Sequence, residues 1–226
     1  MNNRQQTAWD KGWGAALLLL VILLIDQALK VWVKTHMNLH ESIEIASWFK
    51  ITFIENNGMA FGMEIGSKVF LTLFRVVAVG ALGYYIWLQL RQQARKGYVV
   101  LLTMILAGAV GNLIDCLLYG QIFTESTPWS VAELVSFGDG YAPMLMGRVV
   151  DMFYFPLIEA TWPSWMPFVG GESFVFFSPV FNFADACVSV GIIVLFIFYR
   201  KELSTITFRP QQDKQAEESE QTAAQE

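Results

Sequence analysis

Four apolar runs of membrane length divide the chain: residues 13–33, 68–90, 98–118 and 181–199. A helix needs roughly 20 apolar residues to cross the hydrocarbon core of a bilayer, so each run predicts a spanning helix. The first follows a polar start carrying Arg4 and Lys11 and begins like a secretory signal. No small-x-small cleavage site follows it, and Asp26 and Lys30 appear instead, so it predicts an uncleaved span. The second contains Arg75 and leads into the basic loop Arg91, Arg95, Lys96. The third carries Asn112 and Asp115 near its end. The fourth opens with Phe181-Asn182-Phe183-Ala184-Asp185 and is closed by Arg200 and Lys201. Between the first two runs, Ser42 to Ile54 is rich in β-favouring residues and predicts one or two short strands. Glu55 to Gly62 predicts a turn, with Met59, Ala60 and Phe61 apolar enough to re-enter the membrane surface.

Composition fits this picture. Of 226 residues, 54% are hydrophobic and 15% charged, where soluble domains average about 45–50% and about 25%. Most of the net charge of −5 comes from the polar tail after Pro210. The expectation is therefore one membrane-embedded domain over residues 1–206 and a polar, disordered cytoplasmic tail over 207–226. No basic patch points to nucleic acid. Cys116 and Cys187 fall in or beside predicted spans, where a thiol packs as a small apolar group, and His36 and His40 are the only histidines. Neither a metal site nor a cofactor is predicted. Trp129, Trp162 and Trp165 suit the headgroup level, and residues 121–146, with Trp129, Val131, Leu134, Val135 and Phe137, suit a lid-like element, a plain insertion or, the reading favoured, a membrane-resting segment.

Charge gives the orientation. Lys and Arg flank the N-terminus, the loop between the second and third runs, and the end of the fourth. The positive-inside rule then puts both termini in the cytoplasm. Asp26, Lys30, Arg75, Asn112, Asp115 and Asp185 all reach a similar depth near the outer face. Asp151, in the apolar stretch Gly147-Arg148-Val149-Val150-Asp151-Met152-Phe153, joins them from the external segment.

Each residue has a structural reading. Asn182 suits a helix N-cap with Asp185 at the third position, Asp26 and Lys30 are spaced to pair along one helix face, and Asn112 and Asp115 can bond a neighbouring helix. Their convergence favours chemistry. Ionisable groups inside a membrane are functional by default, and two adjacent carboxylates share a proton and titrate as a pair. Such a pair suits peptide hydrolysis by water: one carboxylate takes a proton while the other polarises the carbonyl. No serine or cysteine nucleophile with a histidine partner is evident. A proton-coupled transporter would carry repeats and midplane breaks. The G-x-G-D pattern of other membrane aspartyl proteases is absent, and a scaffold would leave the acids unexplained.

Five blocks, in order, resemble the lipoprotein signal peptidases, the type II signal peptidases of bacteria. Asp26-Gln27-Ala28-Leu29-Lys30 resembles the family's D-Q-x-x-K. Asn56-Asn57-Gly58-Met59-Ala60-Phe61 resembles its N-x-G-x-A-F loop, and Gly108 to Asp115 its G-A-x-G-N-x-x-D block. Val149-Val150-Asp151-Met152 resembles V-V-D-F, and Phe181 to Asp185 resembles F-N-x-A-D. The resemblance covers Trp13 to about Tyr199. It implies an all-α integral membrane fold of four transmembrane helices with a small external β-rich cradle. It makes Asp151 and Asp185 the catalytic aspartates. Asn56, Gly58, Asn112 and Asn182 would bind substrate or order the site, with Asp115 in support and Asp26 and Lys30 as structural residues. The implied substrate is a prolipoprotein whose cysteine already carries diacylglycerol, cut just before that cysteine. The expected setting is a monomer among the lipids of the bacterial inner membrane. Two features depart from the family pattern. Cys116 follows Asp115 where the family has arginine, and Arg148 is the candidate to supply that guanidinium. Residues 121–146 also exceed the family's compact link.

Overall fold

A computed structural model describes residues 12–57, 68–176 and 179–204. Gly58, the Met59-Ala60-Phe61 stretch, the first residues and the tail at 207–226 lie outside the described residues.

Among the described residues, three helices are long and apolar enough to cross a membrane. The first, α1, is Trp13–His36, and the second, α2, is Lys68–Arg91. The third begins as α3, Lys96–Ile114, passes through a π-helical turn at Asp115–Tyr119 and ends in the single turn α4, Gly120–Ile122. A shorter apolar helix, α5, spans Phe183–Phe198, followed by α6, Arg200–Ser204. The chain is thus a membrane protein of several apolar helices. The first and third helices outrun the predicted limits of 33 and 118. The last begins at 183 rather than 181, because Val180–Phe181 pair as a strand.

The helix α3 is the hub, packing against α1, α2 and α5. Its glycines set the spacing. A Cβ on Gly108 would lie 2.4 Å from the Ala184 carbonyl oxygen, and one on Gly111 would lie 2.6 Å from Asp26 Oδ2. Only glycine lets α5 and the Asp26 carboxylate come this close to α3. Apolar clusters fill the rest, with Tyr85, Tyr98, Leu102 and Leu195 in one and Ile22, Ala107 and Cys187 in another.

A small antiparallel sheet caps one end of the bundle. The strands β1 (Ser42–Ala46) and β2 (Phe49–Asn56) occupy the stretch read from sequence as β-favouring. They continue into β3 (Val149–Tyr154) and β6 (Val180–Phe181), in the order β1-β2-β3-β6. Between the last two, β4 (Ile158–Thr161) and β5 (Ser173–Phe176) form a separate hairpin. Val33, Met37, Phe53, Tyr119, Phe123, Val150 and Met152 form one buried cluster, which seats β2 and β3 on the ends of α1 and the third helix.

Residues 121–146 hold no long element. Two isolated β-bridges, Phe123 with Leu134 and Thr127 with Ser130, fold the segment on itself. Tyr141, Ala142 and Gly147 tie it back through backbone N–H groups to Phe123, Gly120 and Cys116. Phe123 and Ala132 are buried, while Trp129, Leu134, Phe137 and Met144 face outward.

Candidate active site

Asp151 and Asp185 reach the site from different elements, and each is fixed by local structure. In β2–β3, Ile54 stands opposite Asp151 and Asn56 opposite Val149. Side chains alternate along a strand, so Asn56 and Asp151 are diagonal neighbours on one face. Asn56 Nδ2 donates to Asp151 Oδ2 at 3.2 Å. Asp185 sits in the first turn of α5 within a capping box: its N–H donates to Asn182 Oδ1 at 2.9 Å, and the Asn182 N–H reaches back to Asp185 Oδ2 at 3.4 Å.

Asn182 and Asn112 join the two carboxylates. Asn182 Nδ2 donates to Asp151 Oδ1 at 2.7 Å and to Asn112 Oδ1 at 3.1 Å. Asn112 Nδ2 donates to Asp185 Oδ1 at 2.8 Å. A carboxamide carries two donors and an acceptor on one rigid plane, so it can hold a charged group with one edge and be held by the other. Asn182 thus caps α5 and faces Asp151 at once.

Below this layer lies a buried ionic cluster. Lys30 Nζ is 3.0 Å from Asp26 Oδ2, 2.8 Å from Asp115 Oδ2 and 2.8 Å from Asn112 Oδ1. All three of its ammonium donors are therefore used. Asp26 Oδ1 accepts the Ala184 N–H at 3.0 Å, which ties α1 to the start of α5. Asp115 accepts from Gln27 Nε2 at 3.0 Å and from the Val150 N–H at 3.4 Å, which ties the third helix to β3. Asp26, Lys30, Asp115 and Asn182 are fully buried. Breaking a buried pair on one side typically costs 3–5 kcal/mol, because it strands a charge in low dielectric.

Asp151 is itself buried, and burial pushes its carboxyl up to about 7, with the neighbouring Asp185 charge adding to the rise. The Asn56 and Asn182 amides oppose it. A carboxyl in this state exchanges its proton near neutral pH.

The structure thus brings together Asp26, Lys30, Asn56, Asn112, Asp115, Asp151, Asn182 and Asp185. Arg148 turns elsewhere: its guanidinium bonds Glu55 and Glu125, each at 3.0 Å, and lies over the Tyr141 ring. The guanidinium that reaches Cys116 belongs to Arg75, whose Nη1 lies 3.1 Å from Sγ. Sequence reasoning left two groups without a role. Gln27 bridges Asp115 and the Tyr119 hydroxyl, and its place inside the Asp26–Lys30 block was the available signal. Lys34, buried against Glu55 and Ser126, lies one turn beyond Lys30 on the same helix face.

Carboxylates gathered at the sheet-capped end of an apolar helix bundle define a membrane protein with a buried polar site at one end of its bundle. The family model for signal peptidase (SPase) II matches residues 18–200, and the chain belongs to that family. A lipoprotein signal peptidase of Porphyromonas gingivalis is 49% identical over 197 residues, 87% of each chain. That of Amoebophilus asiaticus is 35% identical over 85% of this chain and 79% of its own. A bacterial membrane enzyme solved by the in meso method has the same fold, with a TM-score of 0.55 at 23% identity over 87% of this chain and 93% of that one.

Proposed function

We propose that Asp151 and Asp185 act as one acid–base pair that removes the signal peptide from diacylglyceryl-modified prolipoproteins. Cleavage falls just before the lipid-bearing cysteine. The observation that carries this reading is the pair of asparagines, Asn182 and Asn112, that links the two carboxylates over the buried Lys30 cluster. The ionised carboxylate takes a proton from water as its oxygen adds to the scissile carbonyl carbon. The protonated carboxyl donates to the carbonyl oxygen. When the carbonyl re-forms, the C–N bond breaks and a proton passes to the departing amine, the new N-terminus of the lipidated cysteine. Asn56, Asn112 and Asn182 orient the pair, Asp115 backs Lys30 and β3, and Asp26 and Lys30 hold the helices in place. The substrate class follows from the relatives' name, lipoprotein signal peptidase.

In this reading residues 1–206 form one domain. α5 is a fourth membrane span, both termini lie in the cytoplasm, and the site opens near the outer face of the inner membrane. The enzyme acts as a monomer and meets its substrate from the lipid phase. The test uses purified enzyme and a diacylglyceryl-modified prolipoprotein. Asp151→Asn and Asp185→Asn should each lower cleavage by roughly a thousandfold or more, since general acid–base groups contribute about 10²–10⁴ each. Signal-peptide release that persists in either variant would rule out the pair.

A further inference from the structure

Behind the aspartates, on the opposite face of the β2–β3 ribbon, lies a second buried ionic cluster that the mechanism does not use. Its centre is Glu55, whose side chain is 3% exposed. Glu55 Oε1 accepts from Lys34 Nζ and, at 2.9 Å, from the Ser126 hydroxyl; Oε2 accepts from Arg148 Nη1 at 3.0 Å. Lys34 also donates to Ser126 Oγ at 2.9 Å. These donors come from α1, from the 121–146 segment and from the residue just before β3. Burial alone would oppose a charge on Glu55, but the Lys34 ammonium and the Arg148 guanidinium outweigh it and hold the carboxyl below its ordinary range.

The strand geometry connects this cluster to the site. Glu55 stands opposite Val150, and Asn56 opposite Val149. Because successive residues point to opposite faces, Glu55 and Arg148 form a diagonal pair on one face while Asn56 and Asp151 form one on the other. Asn56 is the last residue of β2. Locking the residue before it therefore fixes the angle at which its carboxamide meets Asp151.

We infer that Glu55, clamped by Lys34, Ser126 and Arg148, is a positioning residue that aims the Asn56 amide at Asp151. Arg148 contributes through this clamp and does not touch the reacting groups. The inference rests on the reading of Asp151 as half of the reacting pair.

A double-mutant cycle tests it, with kcat, KM and a pH–rate profile measured on diacylglyceryl-modified prolipoprotein. Glu55→Gln should lower kcat by roughly ten- to a hundredfold, the scale of a small misplacement in an active site, with KM little changed. The alkaline limb of its profile should move to higher pH, because a weakened Asn56 donor no longer favours the Asp151 carboxylate. Asn56→Ala should do the same, and Glu55→Gln should add nothing in the Asn56→Ala background. If Glu55→Gln does not accumulate as folded protein, the pair Lys34→Met/Glu55→Gln, which removes the stranded ammonium, carries the same comparison. Wild-type kcat in the Glu55 variant, an unshifted profile, or losses that multiply with Asn56→Ala would overturn the assignment. If Asp151→Asn stays active, the reacting pair itself is wrong. If it is inactive and the losses still multiply, only the positioning role fails.

Discussion

At the scale of single residues, the feature that matters most is the unequal treatment of the acids. Asp115 and Asp26 share the Lys30 ammonium, whereas Asp151, among the described residues, accepts from the neutral amides of Asn56 and Asn182. Burial first, and Asp185 second, raise its carboxyl from the ordinary 3.8 to about 7. If hydrolysis requires one proton shared between the aspartates, cleavage should fall as the pH rises through the upper apparent pKa of the pair, near neutrality. A pH–rate profile checks this, and a plateau through pH 9 would contradict it. The same shift has a stability consequence. A carboxyl whose folded pKa is raised gives stability that is present below its unfolded pKa and lost as the pH climbs through the folded one. Asp151→Asn carries no such charge. Its thermal midpoint should exceed that of the wild type above about pH 7, and the gap should close below about pH 4.

At the scale of elements, Gly108 and Gly111 are where packing and chemistry meet. Gly108 admits α5 and Gly111 admits Asp26. Gly111→Ala should crowd the Asp26 carboxylate and destabilise the protein by about 1–3 kcal/mol, the usual cost of overpacking. Gly108→Val should do more, because its clash is with backbone. Thermal unfolding in detergent measures both, and unchanged midpoints would show that the helices can part freely. The elements differ in how far the sequence announced them. The first three spans were legible because an apolar run of more than 20 residues has few other readings. The strand β3 was not. Val149, Val150, Asp151 and Met152 are all buried, so they lack the in–out alternation that marks a strand with one wet face. The π-helical turn at Asp115–Tyr119 has no sequence signature, yet it sets Asp115 under β3. Asp151, Asp185 and their asparagines were legible from motif order. The Lys34–Glu55–Arg148 cluster was not, because it joins residues 93 positions apart that only the β2–β3 register brings face to face.

At the scale of the whole molecule, sheet and bundle act as one body because the buried acids reach across element boundaries. Asp26 joins α1 to α5, Asp115 joins the third helix to β3, and Glu55 joins β2 to α1. Among the described residues outside these ties, large apolar groups face outward along α1, α2 and α5, as a lipid-facing surface requires. The length of α5 then has a consequence for the bilayer itself. Its 16 residues rise about 24 Å, against a hydrocarbon thickness of about 30 Å. On the proposed topology, a bilayer that thins to match so short a helix would set Asn182 and Asp185 at the bottom of a dimple and not level with the surrounding phosphates. A substrate held by its acyl chains then needs little lifting to present its cysteine. Cleavage in dimyristoyl phosphatidylcholine vesicles should outpace that in dioleoyl vesicles, and equal rates would place the site level with the headgroups. Hydrophobic mismatch, elsewhere a nuisance for a membrane helix, would here decide how deep in the bilayer the peptide bond is cut.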